Sequence, residues 1–270
     1  MTGGDDFLSG ESGHVSGIRA TTKAVTADAL ADLVALARLQ PLRLRRAAQR
    51  GPRRRVLALS LERADAPNLL ARARSELTQS RHEVRFATAP AGRRGKFENL
   101  NLLLAENPPQ ACDWLLIVDD DVRLPPGFLD AFIFLAERFQ LRLAQPAHRH
   151  RSHAAWEVTR RRALAVAHET EFVEIGPVVG LAAATFDVLL PFPELRFGWG
   201  LDVHWSAIAR ENSWRIGVID ATPVSHVLRP VASSYDRGDA IDEARTFLSG
   251  RPYTKAVDTR RTVTMHRSWR

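Results

Sequence analysis

Asp113-Trp-Leu-Leu-Ile-Val-Asp119-Asp120-Asp121-Val-Arg-Leu-Pro125-Pro126 is the stretch on which the fold turns. Trp114 to Val118 is a short, wholly apolar run bounded by turn-forming residues. A run of that length without alternation reads as a central strand covered on both faces. Three consecutive carboxylates end it, and acids so placed are unfavourable unless something positive lies beside them. In an open parallel sheet the carboxyl end of a strand is also where ligands bind. A divalent cation held against a phosphorylated ligand answers both points, because hard cations take oxygen ligands and share them with phosphates. The alternative is an acidic turn in water.

Outward from this strand the chain alternates short apolar segments with amphipathic ones. Upstream lie a strand at Val56–Leu61, a helix opened by Asp65 and Pro67, a strand at 82–89, and a helix from Lys96 to Glu106 stopped by Pro108-Pro109. Downstream lie a helix over 127–139 and a strand over 141–147. Such alternation is the signature of βαβ units in a parallel α/β sheet. Beyond it, His148 to His168 reads as a long loop with a surface helix, and Phe172 to Ala184 as an extended apolar segment. A Gly-aromatic loop, Phe197-Gly-Trp-Gly200, leads into a helix at 201–210, and a strand follows at 215–219.

The ends have a different character. Residues 1 to about 25 are rich in Gly, Ser, Thr and Asp and read as disordered. Thr26 to Gln49 is helical, with Leu30, Leu33, Leu36 and Ala37 as its apolar side and a break at Pro41. The expected organisation is a tail and basic helical extension at 1–50, a main domain at 51–250, and a basic tail at 251–270.

Charge is equally local. The net charge is +7, yet eight arginines (38, 43, 45, 46, 50, 53, 54 and 55) fall between Val34 and Leu61 with no acid among them. Setting them aside leaves the chain close to neutral, so the basicity is a patch and no specific nucleic-acid partner is expected. Such a patch suits peripheral contact with an anionic membrane, or is simply a solvated face. Cys112 is the only cysteine, which excludes an intrachain disulfide and points to a reducing, cytoplasmic setting. No apolar run approaches the ~18 residues of a membrane span.

Several enzyme classes lack their signatures. No Gly-x-Gly-x-x-Gly follows the first strand, there is no Walker A sequence, and no Gly-x-Ser-x-Gly elbow occurs. Present in order are Gly95-Lys96-x-x-Asn99-Leu-Asn101, Asp119-Asp120-Asp121, Trp199-Gly200-Leu201-Asp202 and Val224-Ser-His226. From about Val56 to Arg229 this series resembles the GT-A glycosyltransferases, in particular the large inverting family that includes cellulose and chitin synthases. Its later part, Gln145-Pro-Ala, Phe172-Val-Glu-Ile and Gly198-Trp-Gly-Leu-Asp202, is also similar to a group of plant and bacterial glycosyltransferases.

The resemblance implies a GT-A fold, a Rossmann-like mixed sheet flanked by helices. It also implies sugar transfer from a nucleotide-diphosphate donor, a UDP-sugar foremost, to a hydroxyl acceptor with inversion. Through its Asp-x-Asp motif, Asp119 would hold the ribose side of the donor and Asp121 would ligate Mn²⁺ or Mg²⁺, with His226 as a further metal ligand. Asp202 would be the catalytic base, although Leu201 stands where family members carry the first acid of a pair. Arg229 is three residues from His226, within reach of the diphosphate as a charge-assisted donor. Lys96 and Asn99 open the helix beside the nucleotide. Trp199 and Glu174 fall on the acceptor side, and Asp220 is kept as an outsider. His148-x-His150-x-x-His153 has a spacing that zinc accepts, against which stand the lack of Cys and of a partner acid. The rival readings are a nucleotidyltransferase on a similar sheet and a non-enzymatic basic binding module.

Overall fold

The Trp114–Val118 run is a strand with those bounds, every residue buried, at the centre of a mixed sheet. The structure is a computed structural model that describes residues 5–11, 13–230 and 235–270. In chain order, α1 (Ile18–Ala37) and α2 (Gln40–Ala48) precede β1 (Arg55–Glu62), α3 (Leu70–Thr78), β2 (Glu83–Pro90) and α4 (Lys96–Glu106). Then come β3 (Trp114–Val118), β4 (Val122–Arg123), α5 (Phe128–Arg138), β5 (Leu141–His148), β6 (Ala167–Thr170), β7 (Val178–Ala182) and α6 (Phe186–Leu189). The chain closes with α7 (Leu201–Glu211), β8 (Arg215–His226), α8 (Arg237–Leu248), α9 (Ala256–Thr259) and β9 (Thr262–His266).

The strand order is β2-β1-β3-β7-β5-β8-β6-β9, with β4 paired to β8 off this path. β1 runs parallel to β2 and β3, and β5 parallel to β8; the other pairings are antiparallel. Alternation along the central strands divides the core in two. Leu57, Leu59, Leu115 and Ile117 face α4 and α7, with Phe97 and Trp205 among their neighbours. Val56, Ala58, Trp114, Leu116 and Val118 face α3 and α5, with Leu77 and Phe132. An unbroken apolar run is what a strand covered on both sides requires.

The helix expected from Asp65 starts five residues later, at Leu70, because Leu69 donates its N–H to the Asp120 carbonyl before the first turn. No α-helix forms between His148 and His168. That stretch carries a 3-10 turn at Glu157–Thr159 and runs into β6, and both of its terminal histidines are buried. Within the extended 172–184 segment only Val178–Ala182 joins the sheet.

The two ends depart most from expectation. Residues 1–4 and 12 lie outside the described residues, but Phe7 is in the core and α1 begins at Ile18, so disorder up to residue 25 is corrected. Asp5 pairs with Arg245, and Asp6 with Lys255 and the Tyr253 hydroxyl. These counter-charges lie some 240 residues away, beyond any local reading of composition. The expected inner face of the N-terminal helix is also reversed. Ala24, Asp28, Ala31 and Ala35 are buried while Leu30, Leu33 and Leu36 stand in solvent. Asp28 draws that face inward by accepting the backbone N–H groups of His150 and Arg151, and Asp32 pairs with Arg149 and Arg161. Residues 251–270, expected as a tail, contribute β9 to the sheet edge against β6. Among the described residues no helix is long and apolar enough to cross a membrane.

Candidate active site

The three aspartates after β3 line a cleft of about 1070 Å³, and each is paired with basic side chains. Asp119 receives Lys96 Nζ at 2.7 Å, and its own N–H bonds to the Pro177 carbonyl. This pair leaves no room beside it: a Cβ on Gly176 would stand 2.8 Å from Asp119 Oδ2 and 3.2 Å from Lys96 Nζ. Asp120 is buried; one carboxylate oxygen accepts the Arg63 N–H at 2.7 Å and the other meets the Arg229 guanidinium. Asp121, also buried, meets His226 Nε2 at 3.1 Å and Arg229 Nε at 2.9 Å through a single oxygen. Lys96 and Arg229 are the positive groups that three adjoining acids demand, and His226 adds an imidazole beside Asp121.

Sheet pairing brings His226 to Asp121. β8 runs beside β5 and then continues to pair with the two-residue β4, setting Val122 opposite His226 and Arg123 opposite Ser225. His226 thus reaches the residue just before Val122. Its Nδ1 faces the His153 carbonyl at 3.3 Å, a contact that orients the ring and presents Nε2 to the cleft. Burial works against charge on both partners, but their mutual attraction outweighs it. Asp121 is held well below the usual carboxylate range by His226 and Arg229, and His226 is raised by Asp121 and more weakly by Asp119.

A second carboxylate lines the same cleft in a different setting. Asp202 occupies the first turn of α7, which begins after Gly200 at φ 84. Burial pushes its carboxyl up to about 7; the Val203 N–H, 2.9 Å from Oδ1, opposes the rise and the charge of Glu174 adds to it. Glu174, also in the cleft, is held by the Thr159 hydroxyl at 2.8 Å and faces His148 Nε2 at 3.3 Å. Trp199 donates its indole N–H to the Tyr235 hydroxyl at 2.9 Å, and the Arg237 guanidinium lies 5.3 Å from its ring. The N-terminal segment closes one wall with Phe7, Leu8, Ser9 and Glu11.

Asp119, Asp121, Lys96, Glu174, Trp199, Asp202, His226 and Arg229 therefore converge on one cleft. Asn99 has another occupation: it is buried, and its amide donates to the carbonyls of Ala91 and Gly95 beneath the loop after β2. That loop offers Arg93 and Arg94 to the cleft, next to Lys96 at the start of α4. The expectation that Asn99 contacts the donor gives way to a loop-holding role, since a buried amide satisfies its hydrogen bonds internally. Asp220 is buried against His168 Nδ1 and the Arg162 N–H. The three histidines at 148, 150 and 153 do not share a centre: His148 faces Glu174, the His150 backbone bonds to Asp28, and His153 stacks on His14. Ser60, Tyr235 and Arg237, which also line the cleft, and the N-terminal wall went unrecognised in the sequence, where a glycine- and serine-rich terminus carries no sign of lining a site.

No family model matches the chain, and no curated protein does. Among solved structures it resembles a crystal structure of GalNAc-T7 with UDP, GalNAc and Mn²⁺, with a TM-score of 0.53 and 7% identity over 73% of this chain. The chain spans about half of that structure, 48% of its length. A further match is the crystal structure of A197 from STIV, with a TM-score of 0.43, 11% identity, and coverage of 64% of this chain and 85% of that one. The GalNAc-T7 likeness is one of fold: a mixed sheet flanked by helices in a GT-A-like arrangement.

Proposed function

We propose that the chain is a metal-dependent glycosyltransferase that moves a sugar from a nucleoside diphosphate, UDP in the first instance, to an acceptor hydroxyl with inversion. The observation that carries this reading is the division of labour among carboxylates in one cleft. Asp121 is held ionised beside His226 and Arg229, whereas Asp202, away from those cations, has its pKa lifted to about 7. Environments that push two carboxylates apart in this way suit a charge-binding group and a proton acceptor. The fold shared with GalNAc-T7, whose structure holds UDP and Mn²⁺, supports the nucleotide-sugar part of this reading.

The residues fit a hard divalent cation, Mn²⁺ or Mg²⁺. One carboxylate and one imidazole converge, and such ions commonly complete their shell with phosphate oxygens and water. Among the described residues no three acid, histidine or cysteine side chains are arranged so as to hold a metal ion by themselves, so the protein would supply two ligands and the diphosphate others. Arg229 lines the cleft and its Nη1 is buried without a hydrogen-bond partner among the described residues, a donor that a phosphate oxygen would satisfy. When bound, the ion offsets the negative charge that grows on the diphosphate as the glycosidic bond breaks.

The chain's own residues then divide the reaction. Asp119, steadied by Lys96, accepts hydrogen bonds from the ribose hydroxyls. Arg229 and Lys96 bring positive charge to the leaving group. On the other side of the anomeric carbon, the acceptor oxygen forms its new bond as the bond to the diphosphate oxygen breaks, and its proton passes to Asp202. Trp199, fixed by Tyr235, supplies an apolar wall beside that carboxylate.

Calorimetry and thermal shift with UDP, GDP and their sugars test this reading. A nucleotide at ~100 times its dissociation constant should stabilise the fold by about 2.7 kcal/mol in the presence of Mn²⁺. EDTA, Asp121→Ala or His226→Ala should each weaken binding by at least about tenfold. Nucleotide binding indifferent to EDTA and to both substitutions would overturn the metal site.

A further inference from the structure

The face of α1 turned away from the body has no part in the proposed transfer reaction. Ile18, Val25, Leu33 and Leu36 succeed one another at spacings of seven, eight and three, which places them along one side of the helix. They are 44–87% exposed, and Leu30 stands beside them at 58%. Leu39 and Leu42, exposed to 59% and 47%, carry the apolar strip across the turn into α2. Single exposed leucines are ordinary, but a continuous strip of this length calls for a cover.

The unpaired charges around the strip are basic. Arg19 and Lys23 lie along α1, and Arg38, Arg43, Arg45 and Arg46 continue through the turn and α2, all exposed. Of the two acids between residues 18 and 50, Asp28 is buried against the backbone of the 149–161 loop, and Asp32, its side chain 41% exposed, is neutralised by Arg149 and Arg161. Where the strip reaches the turn, Arg38, Gln40, Arg43, Arg267 and Arg270 line a small cleft of about 90 Å³. Guanidinium groups gathered around a cavity of that size suit a phosphate.

A nucleic acid would engage the arginines and leave seven apolar side chains in water. A bilayer carrying anionic headgroups engages both: the apolar side chains enter the acyl boundary while the cations meet the phosphates. We infer that α1 and α2 dock the chain on an anionic lipid surface, with the Ile18-to-Leu42 strip inserted and the Arg38–Arg43 cleft on a lipid phosphate. The helix lies in the surface rather than crossing it, since no described helix is apolar enough to span. Its buried side grips the loop that brings His153 and Trp156 to the cleft, so a docked chain holds that loop next to the bilayer. This surface goes beyond the transfer reaction and stands or falls without it.

Co-sedimentation of the full chain with phosphatidylcholine vesicles, and with vesicles containing equal phosphatidylglycerol, tests the assignment without any nucleotide. Binding to the anionic vesicles should exceed binding to the neutral ones at least tenfold and should weaken with salt. Leu33→Glu with Leu36→Glu should remove at least tenfold of it even at low salt, with an unchanged circular dichroism spectrum. Arg38→Gln with Arg43→Gln should reduce the salt-sensitive part while leaving residual binding. Equal binding to both vesicles, no binding, or a leucine variant that binds like the parent overturns the proposal. So does a parent dimer in light scattering that the leucine variant dissolves without any vesicle binding, which would assign the face to a second copy.

Discussion

Asp202 shows what a single position gains from its surroundings. A surface aspartate has a pKa near 3.9 and is too weak a base to take a proton from a hydroxyl at neutral pH. Packed at the start of α7, with Glu174 raising it further, its pKa of about 7 makes it a stronger base but leaves it ionised only above that value. Turnover should therefore climb about tenfold per pH unit below 7 and level off above it. Asp202→Asn should lower the plateau by roughly 10²–10⁴-fold with nucleotide affinity preserved. Glu174→Gln removes a negative neighbour, which favours the Asp202 carboxylate, so the midpoint should move to lower pH. Steady-state rates from pH 5 to 9 decide the matter; a flat profile, or a midpoint that rises in Glu174→Gln, would remove Asp202 from the role of base.

The start of α4 is held by backbone contact. Gly95 donates its N–H to Glu98 at 2.7 Å, Lys96 N–H bonds to the Arg196 carbonyl, and Phe97 N–H to that of Leu195. A Cβ at Gly95 would fall 2.1 Å from the Arg196 Cα, and main chain cannot turn aside as a side-chain tip can. Gly95→Ala should therefore cost about 1–3 kcal/mol of overpacking or more. At ~2–4 °C per kcal/mol for a chain of this size, that is a visible fall in Tm. Gly176→Ala offers the contrast, since the atoms nearest its Cβ belong to the side-chain ends of Asp119 and Lys96 and not to main chain. It should keep its Tm while losing nucleotide affinity. Calorimetric unfolding of the two variants side by side tests the distinction, and an unchanged Tm for Gly95→Ala would count against this close approach of Gly95 to Arg196.

The molecule as a whole is closed by its ends. Phe7 enters the core shared by α4, α7 and α8, while Asp5 and Asp6 engage Arg245, Tyr253 and Lys255. The exposed ion pairs contribute little individually. Phe7, at 6% exposure, contributes through burial, and Phe7→Ala should destabilise by about 3–5 kcal/mol. Urea unfolding measures this; an unchanged midpoint would show that the N-terminal segment does not close the fold. The same segment lines the cleft, so its loss would also open the wall formed by Phe7, Leu8, Ser9 and Glu11.

Patterns complete within a few residues were legible in the sequence. Trp114–Val118 is apolar throughout, so its strand and burial on both faces follow from composition alone. Three acids at a strand end required counter-charge, and the ordered motifs from Gly95 to His226 resembled a GT-A enzyme; the mixed sheet has that form. Only the tertiary structure decided which partner each group would meet. Asp121 and His226 are 105 residues apart and join through β4, a two-residue strand too short to show a period. Asn99, beside Lys96 in sequence, turns inward to hold a loop. α1 buries alanines because Asp28, itself buried, finds backbone N–H donors, and the half-buried Asp32 finds arginines, more than 115 residues on. Hydrophobicity is a property of a side chain and periodicity of a segment, but neither contains the position of a distant donor. Where local preference and long-range pairing disagreed, at α1, at Asn99 and at the N-terminus, the pairing prevailed, because a buried polar group left without its partner costs more than a leucine left in water.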